Sequence, residues 1–380
     1  MPAVSHWAIS KAPLGLAFAV SSVLPYPQLS LWSLRSKFRW LNNGPRGTGA
    51  KASAQDWTAG KWKKEGKKLQ PKETKMAQSS PIKDLSSLNK KEIAAFLDSF
   101  DTVISDCDGV LWRAAEGPIS GSPQTINKLK SLGKKVFLMS NNSASPLERY
   151  VTLCEKMGMP IPKENIITPS AAVAYYLKEQ NLENKKIFVL GTSHFMDYLR
   201  EAGLHCSENG PYPIVEDLPS LMRELSNLDS DVGTVVIDTD PNINFIKMMK
   251  AVQYLKRPDC HFILAASDVS AILTKDLNLI GPGCFSALLE KFTGRSPIVM
   301  GKPEVYMVHL IEKIHPLNPS RTLMIGDSLD HDILLGSHCG FQTLFVLSGH
   351  GALEDATDEN NMPKYFLNKL GDLLPLLSSQ

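Results

Sequence analysis

The chain has 380 residues, 43% hydrophobic and 21% charged, the composition of an ordinary globular protein with room for two cores, which excludes a fibrous or wholly disordered chain. The net charge of +2 conceals an asymmetry: residues 1–80 carry 13 Lys and Arg against 3 Asp and Glu, leaving a net −8 on the remainder. The six cysteines (107, 154, 206, 260, 284 and 339) form no CxxC pair and have no His at zinc spacing, so they read as reduced, mostly buried thiols.

In chain order the basic head comes first. No acidic residue precedes Asp56, while Lys11, Arg35, Lys37, Arg39, Arg46 and Lys51 are interspersed with Ser, Trp and Leu. Acid-poor termini of this kind suit a mitochondrial transit peptide, and the other reading is a disordered extension of a cytoplasmic enzyme. The apolar run 14–24 is too short to span a bilayer and ends at Pro25 and Pro27, so no membrane span is expected. The free-thiol pattern argues against export. Residues 61–75 read as a solvated basic linker rather than a nucleic-acid surface, and Met76 is a plausible second start.

From about residue 81 short β-branched runs alternate with amphipathic stretches. Strands are expected at 102–105, 136–139, 187–190, 234–237, 262–264, 322–325 and 343–347. Helices are expected at 123–132, 146–156, 171–180, 245–255, 284–292 and 304–314, with Pro123 and Pro146 in first turns. The alternation is that of βαβ units around a parallel sheet, an α/β fold of Rossmann-like kind. No internal repeat is visible.

Three strands end in chemistry. Asp106-Cys107-Asp108-Gly109-Val110-Leu111-Trp112 follows the first, Ser140-Asn141-Asn142 the second, and Gly326-Asp327 the sixth, with Asp330 and Asp332 beyond. A lone Asp after a strand is commonly a helix N-cap. Several strand ends converging on one crevice, with Gly301-Lys302-Pro303 on another loop, read instead as a site. Paired carboxylates repel unless a cation lies between them, and Asp106, Asp327 and the backbone carbonyl of Asp108 offer the oxygen donors that Mg²⁺ prefers. Asp106 is then the nucleophile toward a phosphate ester, and Asp108 the acid for the leaving group and base for water. Lys302, Ser140 Oγ and the Asn141–Asn142 loop bind phosphate oxygens, and Asp332 supports the metal from behind. Cys107 is a small core residue between the two carboxylates.

These residues, as Asp106-x-Asp108-Gly109-Val110, Ser140, Lys302 and Gly326-Asp327-x4-Asp332, resemble the four motifs of the haloacid dehalogenase superfamily of phosphatases. More narrowly, Asp-Cys-Asp-Gly-Val-Leu-Trp, Ser-Asn-Asn-Ser and Gly-Lys-Pro resemble its phosphoglycolate and pyridoxal phosphate phosphatase branch. That resemblance implies a catalytic core at 81–182 and 297–380, an inserted α/β cap of the C2 type at 183–296, a Mg²⁺ cofactor, a small phosphorylated metabolite as substrate and a homodimer formed through the cap. In the fourth motif Ser328 and His331 stand where the branch carries Arg and Thr. In the cap, Ala265-Ala266-Ser267-Asp268 stands where Ala-Thr-Asn-x-Asp is usual, and Val269-Ser270-Ala271 lacks the His of pyridoxal phosphate phosphatases. These departures favour small aliphatic phosphates such as phosphoglycolate or glycerol 3-phosphate. The other readings are a pyridoxal phosphate or protein phosphatase and a weakly active, binding-only paralogue.

Overall fold

A computed structural model describes residues 82–378, apart from 115, 275 and 276. The expectations for the basic head, the 14–24 run, the transit peptide and Met76 lie outside the described residues.

The strand Thr102–Ser105 is buried at every position, as a strand covered on both faces must be. It lies within a seven-stranded, wholly parallel sheet. The order runs Lys83–Asp84, Tyr365–Leu367, Gln342–Val346, Thr322–Gly326, Thr102–Ser105, Lys135–Met139 and Ile166–Ile167. Alternate side chains leave this sheet in opposite directions. Val103, Val136, Leu138, Leu323 and Ile325 join a cluster with Phe96, Phe100, Leu111 and Leu129. Ile104, Phe137, Met139 and Met324 join Val173, Leu177, Met307 and Ile311 from the helices Pro169–Glu179 and Tyr306–Ile314.

A second parallel sheet lies between these core strands in the sequence, ordered Ile298–Val299, His261–Leu264, Val232–Ile237 and Lys186–Leu190. Its Ile187, Val189, Val236 and Ile263 share the apolar cluster of Ile104 and Met324, so both sheets bury one face in a common layer. Its other face, with Phe188, Val235 and Phe262, is covered by Val252, Leu255 and Leu289.

The strands and helices expected from periodicity appear within two residues of their expected bounds, Phe245–Leu255 unchanged. Pro123 lies in the first turn of Ser122–Ser131, whereas Pro146 is the N-cap of Leu147–Lys156. The two-residue edge strands and the helices Lys90–Asp98, Ser193–Glu201 and Leu218–Ser226 were not expected. The last carries Leu218, Leu221, Met222 and Leu225 at helical spacing, a stripe legible in the sequence, although the structure leaves none of these side chains fully buried. All six cysteines are free: Cys107, Cys154 and Cys260 are buried, Cys206 and Cys339 only partly so, and Cys284 is exposed. No helix among the described residues is long and apolar enough to cross a membrane.

Candidate active site

Asp106 sits one residue beyond Thr102–Ser105, and its N–H reaches Ile325 O at 2.8 Å, continuing the ladder to the next strand. Its carboxylate meets Lys302, whose ammonium is buried and fully used: Asp106 Oδ1 at 2.5 Å, Asp332 Oδ1 at 2.7 Å and Met139 O at 3.1 Å. Lys302 therefore joins the ends of three elements rather than standing free. Burial pushes Asp106 well above the usual carboxylate range, with Lys302 opposing, and raises Asp332 for the same reason. Burial alone would lower Lys302, but the two carboxylates outweigh it and hold the ammonium charged.

Asp332 projects from the single π-helical turn Leu329–Ile333. Its second oxygen accepts the N–H groups of Asp327 and Ser328, both at 3.1 Å. Both oxygens are thus engaged, which suits support of the site better than direct contact with a ligand. Asp327, at the end of Thr322–Gly326, has Oδ2 held by the backbone N–H and the Nδ1 of His350, each at 2.9 Å. The bond to Asp327 raises the His350 imidazole. Glycines make this approach possible. Gly109 has φ +82°, and a Cβ there or on Gly349 would overlap the Asp327 carboxylate.

Asp106, Asp327 and Asp332 each place an oxygen within 4.8 Å of the other two, all buried. Asp108 adds a further carboxylate, raised by burial and opposed by a 3.0 Å bond from Trp112 Nε1 to its Oδ1. Against these charges stand Lys302 and the half-exposed His350. Clustered oxygen donors with surplus negative charge fit a hard divalent cation.

Ser140 follows Lys135–Met139. Its Oγ accepts the Asn142 N–H at 3.1 Å and lies 3.3 Å from the Tyr150 hydroxyl. The Asn141 amide joins Lys302 N at 2.8 Å, Lys302 O at 3.2 Å and Asp268 Oδ2 at 2.9 Å. Its side chain therefore ties the Lys302 loop to the second sheet's loop. The Asn142 amide turns back to the N–H of Ala144 at 3.1 Å, so Asn142 serves this loop locally.

The departures noted in the sequence are also placed. Ser328 Oγ and His331 Nδ1 are hydrogen-bonded at 3.0 Å, and His331 faces Asp268 at 4.0 Å. Ala265 and Ala266 are buried, so the small side chains there are packed rather than left as an opening. Four residues escaped the sequence reading. His350 follows a strand ending in the same crevice, and that position is its only signal. Trp112, although the last residue of the first motif, and Tyr150 are given no role by residue type alone. Asp238, 1% exposed at the end of Val232–Ile237, accepts a bond from Ser143 Oγ at 3.1 Å.

Known proteins resemble this chain. The profile of the haloacid dehalogenase-like hydrolases matches residues 103–205, and a HAD-hydrolase-like profile matches 299–373. The mouse glycerol-3-phosphate phosphatase is 31% identical over 76% of this chain and 95% of its own. Phosphoglycolate phosphatase 2 of Arabidopsis thaliana is 34% identical over 78% and 98%. A crystal structure of a hypothetical protein from Pyrococcus horikoshii superposes with a TM-score of 0.62 at 27% identity, covering 73% of this chain and 99% of that one. With the parallel sheet and the acidic strand ends, these matches make the chain a member of the haloacid dehalogenase-like hydrolases, and its activity that of a phosphoric monoester hydrolase.

Proposed function

We propose that this phosphatase hydrolyses small aliphatic phosphomonoesters, phosphoglycolate or glycerol 3-phosphate, with Asp106 as nucleophile. The observation that carries the reading is the Asp106 carboxylate at a strand end, held by the buried ammonium of Lys302, with Asp108 beside it. An Asp106 oxygen attacks phosphorus while the bond to the ester oxygen breaks, and Asp108 gives its proton to the departing alkoxide. Asp108 then takes a proton from water as that water attacks phosphorus, releasing inorganic phosphate and restoring Asp106. Ser140 Oγ and the Asn141 N–H donate to the phosphoryl oxygens, and Lys302 balances the charge on Asp106. Asp106, Asp327 and the carbonyl of Asp108 would hold Mg²⁺, and Asp332 keeps Lys302 and the Asp327 loop in register. The bound cation supplies positive charge that lets a dianionic ester approach a carboxylate.

The unit built on the second sheet acts as the cap; the expected bounds, 183–296 for the cap with 81–182 and 297–380 as core, stop short of its edge strand Ile298–Val299, so the return to the core falls just beyond residue 299. Its bonds to the core loops, Ser143 to Asp238 and Asn141 to Asp268, support that role. Its helices Leu218–Ser226, Phe245–Leu255 and Pro282–Thr293 pack side by side and expose Leu218, Met222, Phe245, Leu288 and Phe292. That surface supports a homodimer through the cap. Comparison of kcat/KM for phosphoglycolate, glycerol 3-phosphate, pyridoxal phosphate and a phosphotyrosine peptide, with Mg²⁺ and with a chelator, tests the reading. The two aliphatic esters should lead and all turnover should vanish on chelation; a preference for the peptide would overturn it.

A further inference from the structure

Trp112 and Tyr150 are buried large side chains to which the chemistry above gives no task. They are not merely filler, because each spends its polar atom on the site. The segment 107–112 folds back on itself through Leu111 N to Cys107 O at 2.8 Å and Gly109 N to Trp112 O at 2.8 Å. That turn, with Gly109 at φ +82°, brings the Trp112 indole beneath Asp108, where Nε1 donates to Oδ1 at 3.0 Å. An indole N–H can only donate. It therefore claims Oδ1 as an acceptor and leaves Oδ2 as the oxygen that carries the transferable proton.

Tyr150 stands against Trp112, ring centroids 6.1 Å apart, and both are nearly inaccessible. Its hydroxyl donates to Asn142 O at 2.6 Å, which commits its only proton. Toward Ser140 Oγ, 3.3 Å away, it can then only accept. The Ser140 proton has a weak local partner that a phosphoryl oxygen readily replaces. One aromatic block thus sets the proton on the acid and the proton on the phosphate donor.

We infer that Trp112 and Tyr150 are positioning residues of the reaction, Trp112 fixing which oxygen of Asp108 donates its proton and Tyr150 orienting the Ser140 hydroxyl toward the phosphoryl group. The inference rests on Asp108 as proton donor. A poor alkoxide leaving group needs that proton, whereas 4-nitrophenolate hardly does, so the two roles separate by leaving group.

The test is the single-turnover rate of leaving-group release, which precedes the hydrolysis step common to both esters, for 4-nitrophenyl phosphate and for the better of glycerol 3-phosphate and phosphoglycolate, in the full chain and in Trp112→Phe, Tyr150→Phe, Asp108→Asn and Trp112→Phe with Asp108→Asn. Trp112→Phe should lower that rate for the alkyl ester about tenfold, that being the scale of one hydrogen bond to a charged group, and leave the aryl ester within about threefold. It should add nothing in the Asp108→Asn background. Tyr150→Phe should slow both esters equally. Equal losses on both esters for Trp112→Phe, or a further loss in the double variant, would overturn the Trp112 assignment while leaving Asp108 as the acid. Unequal losses for Tyr150→Phe would overturn the Tyr150 assignment. Equal losses for Asp108→Asn would overturn the proton-donor reading and the Trp112 role with it. Should Trp112→Phe not fold, benzothienylalanine at 112 keeps the shape, lacks the N–H and is read in the same way.

Discussion

At the scale of single residues, Lys302 is the most constrained group in the site. Its ammonium is the direct partner of both Asp106 and Asp332, and removing one member of a buried ion network leaves uncompensated charge behind. Lys302→Met should therefore abolish turnover and also destabilise the fold by about 3–5 kcal/mol in the metal-free protein. Adding Asp332→Asn should return part of that stability but none of the activity. Equilibrium denaturation of the single and double variants checks this, and an additive loss would contradict it. Asp106, Asp108, Asp327 and Lys302 could be picked from the sequence because carboxylates and an ammonium follow β-branched apolar runs, and the strand ends of a parallel sheet converge on one crevice. His350 could not, because nothing in the sequence says that its loop closes over Asp327.

At the scale of elements, strand ends and glycine turns bring the chemistry together. The Gly109 turn is the sharpest case, since it needs both a positive φ and space beside Asp327. Gly109→Ala should cost at least about 1 kcal/mol of stability and most of the activity, read by thermal unfolding and kcat. The end of Val232–Ile237 gives a pH-dependent test. Burial lifts Asp238 from its ordinary 3.8 to about 7, against bonds from the Thr239 N–H and Ser143 Oγ. A carboxyl raised on folding contributes stability fully at pH below its unfolded value, and that contribution is lost as pH rises toward 7. Asp238→Asn, which cannot ionise, should therefore gain on the parent protein between about pH 4 and pH 7, by up to ~1.4 kcal/mol per pH unit, and hold a constant lead above. Denaturant unfolding of both proteins at pH 5 and pH 8 reads the difference; a gap that does not change with pH would contradict it. Periodicity revealed the central strands because β-branched runs buried on both faces leave a strong pattern. Two-residue edge strands are too short to carry a pattern, whereas the helix Leu218–Ser226 does carry one, with Leu218, Leu221, Met222 and Leu225 on one face and Pro219 in its first turn.

At the scale of the whole molecule, two parallel sheets share one apolar layer, and the residues of chemistry gather at loops that link them. The parallel α/β class was legible because strands and helices alternate. The bonds across the loops were not, since Asn141 to Asp268 and Ser143 to Asp238 join positions far apart in sequence. The basic head differs from the rest of the sequence in charge, +10 against −8. Removal of residues 1–75 should leave kcat and KM within about twofold of the full chain, as expected of a segment with no part in folding the site. A large loss of kcat would assign the head to catalysis. The central claim is that Asp106 becomes phosphorylated and released again. Rapid quenching of a single turnover with ³²P-labelled ester, followed by peptide mapping, tests it most directly. Label should pass transiently through the peptide containing Asp106 and be absent from Asp106→Asn, which should also be inactive. Turnover by Asp106→Asn with no labelled protein at any time would contradict the account.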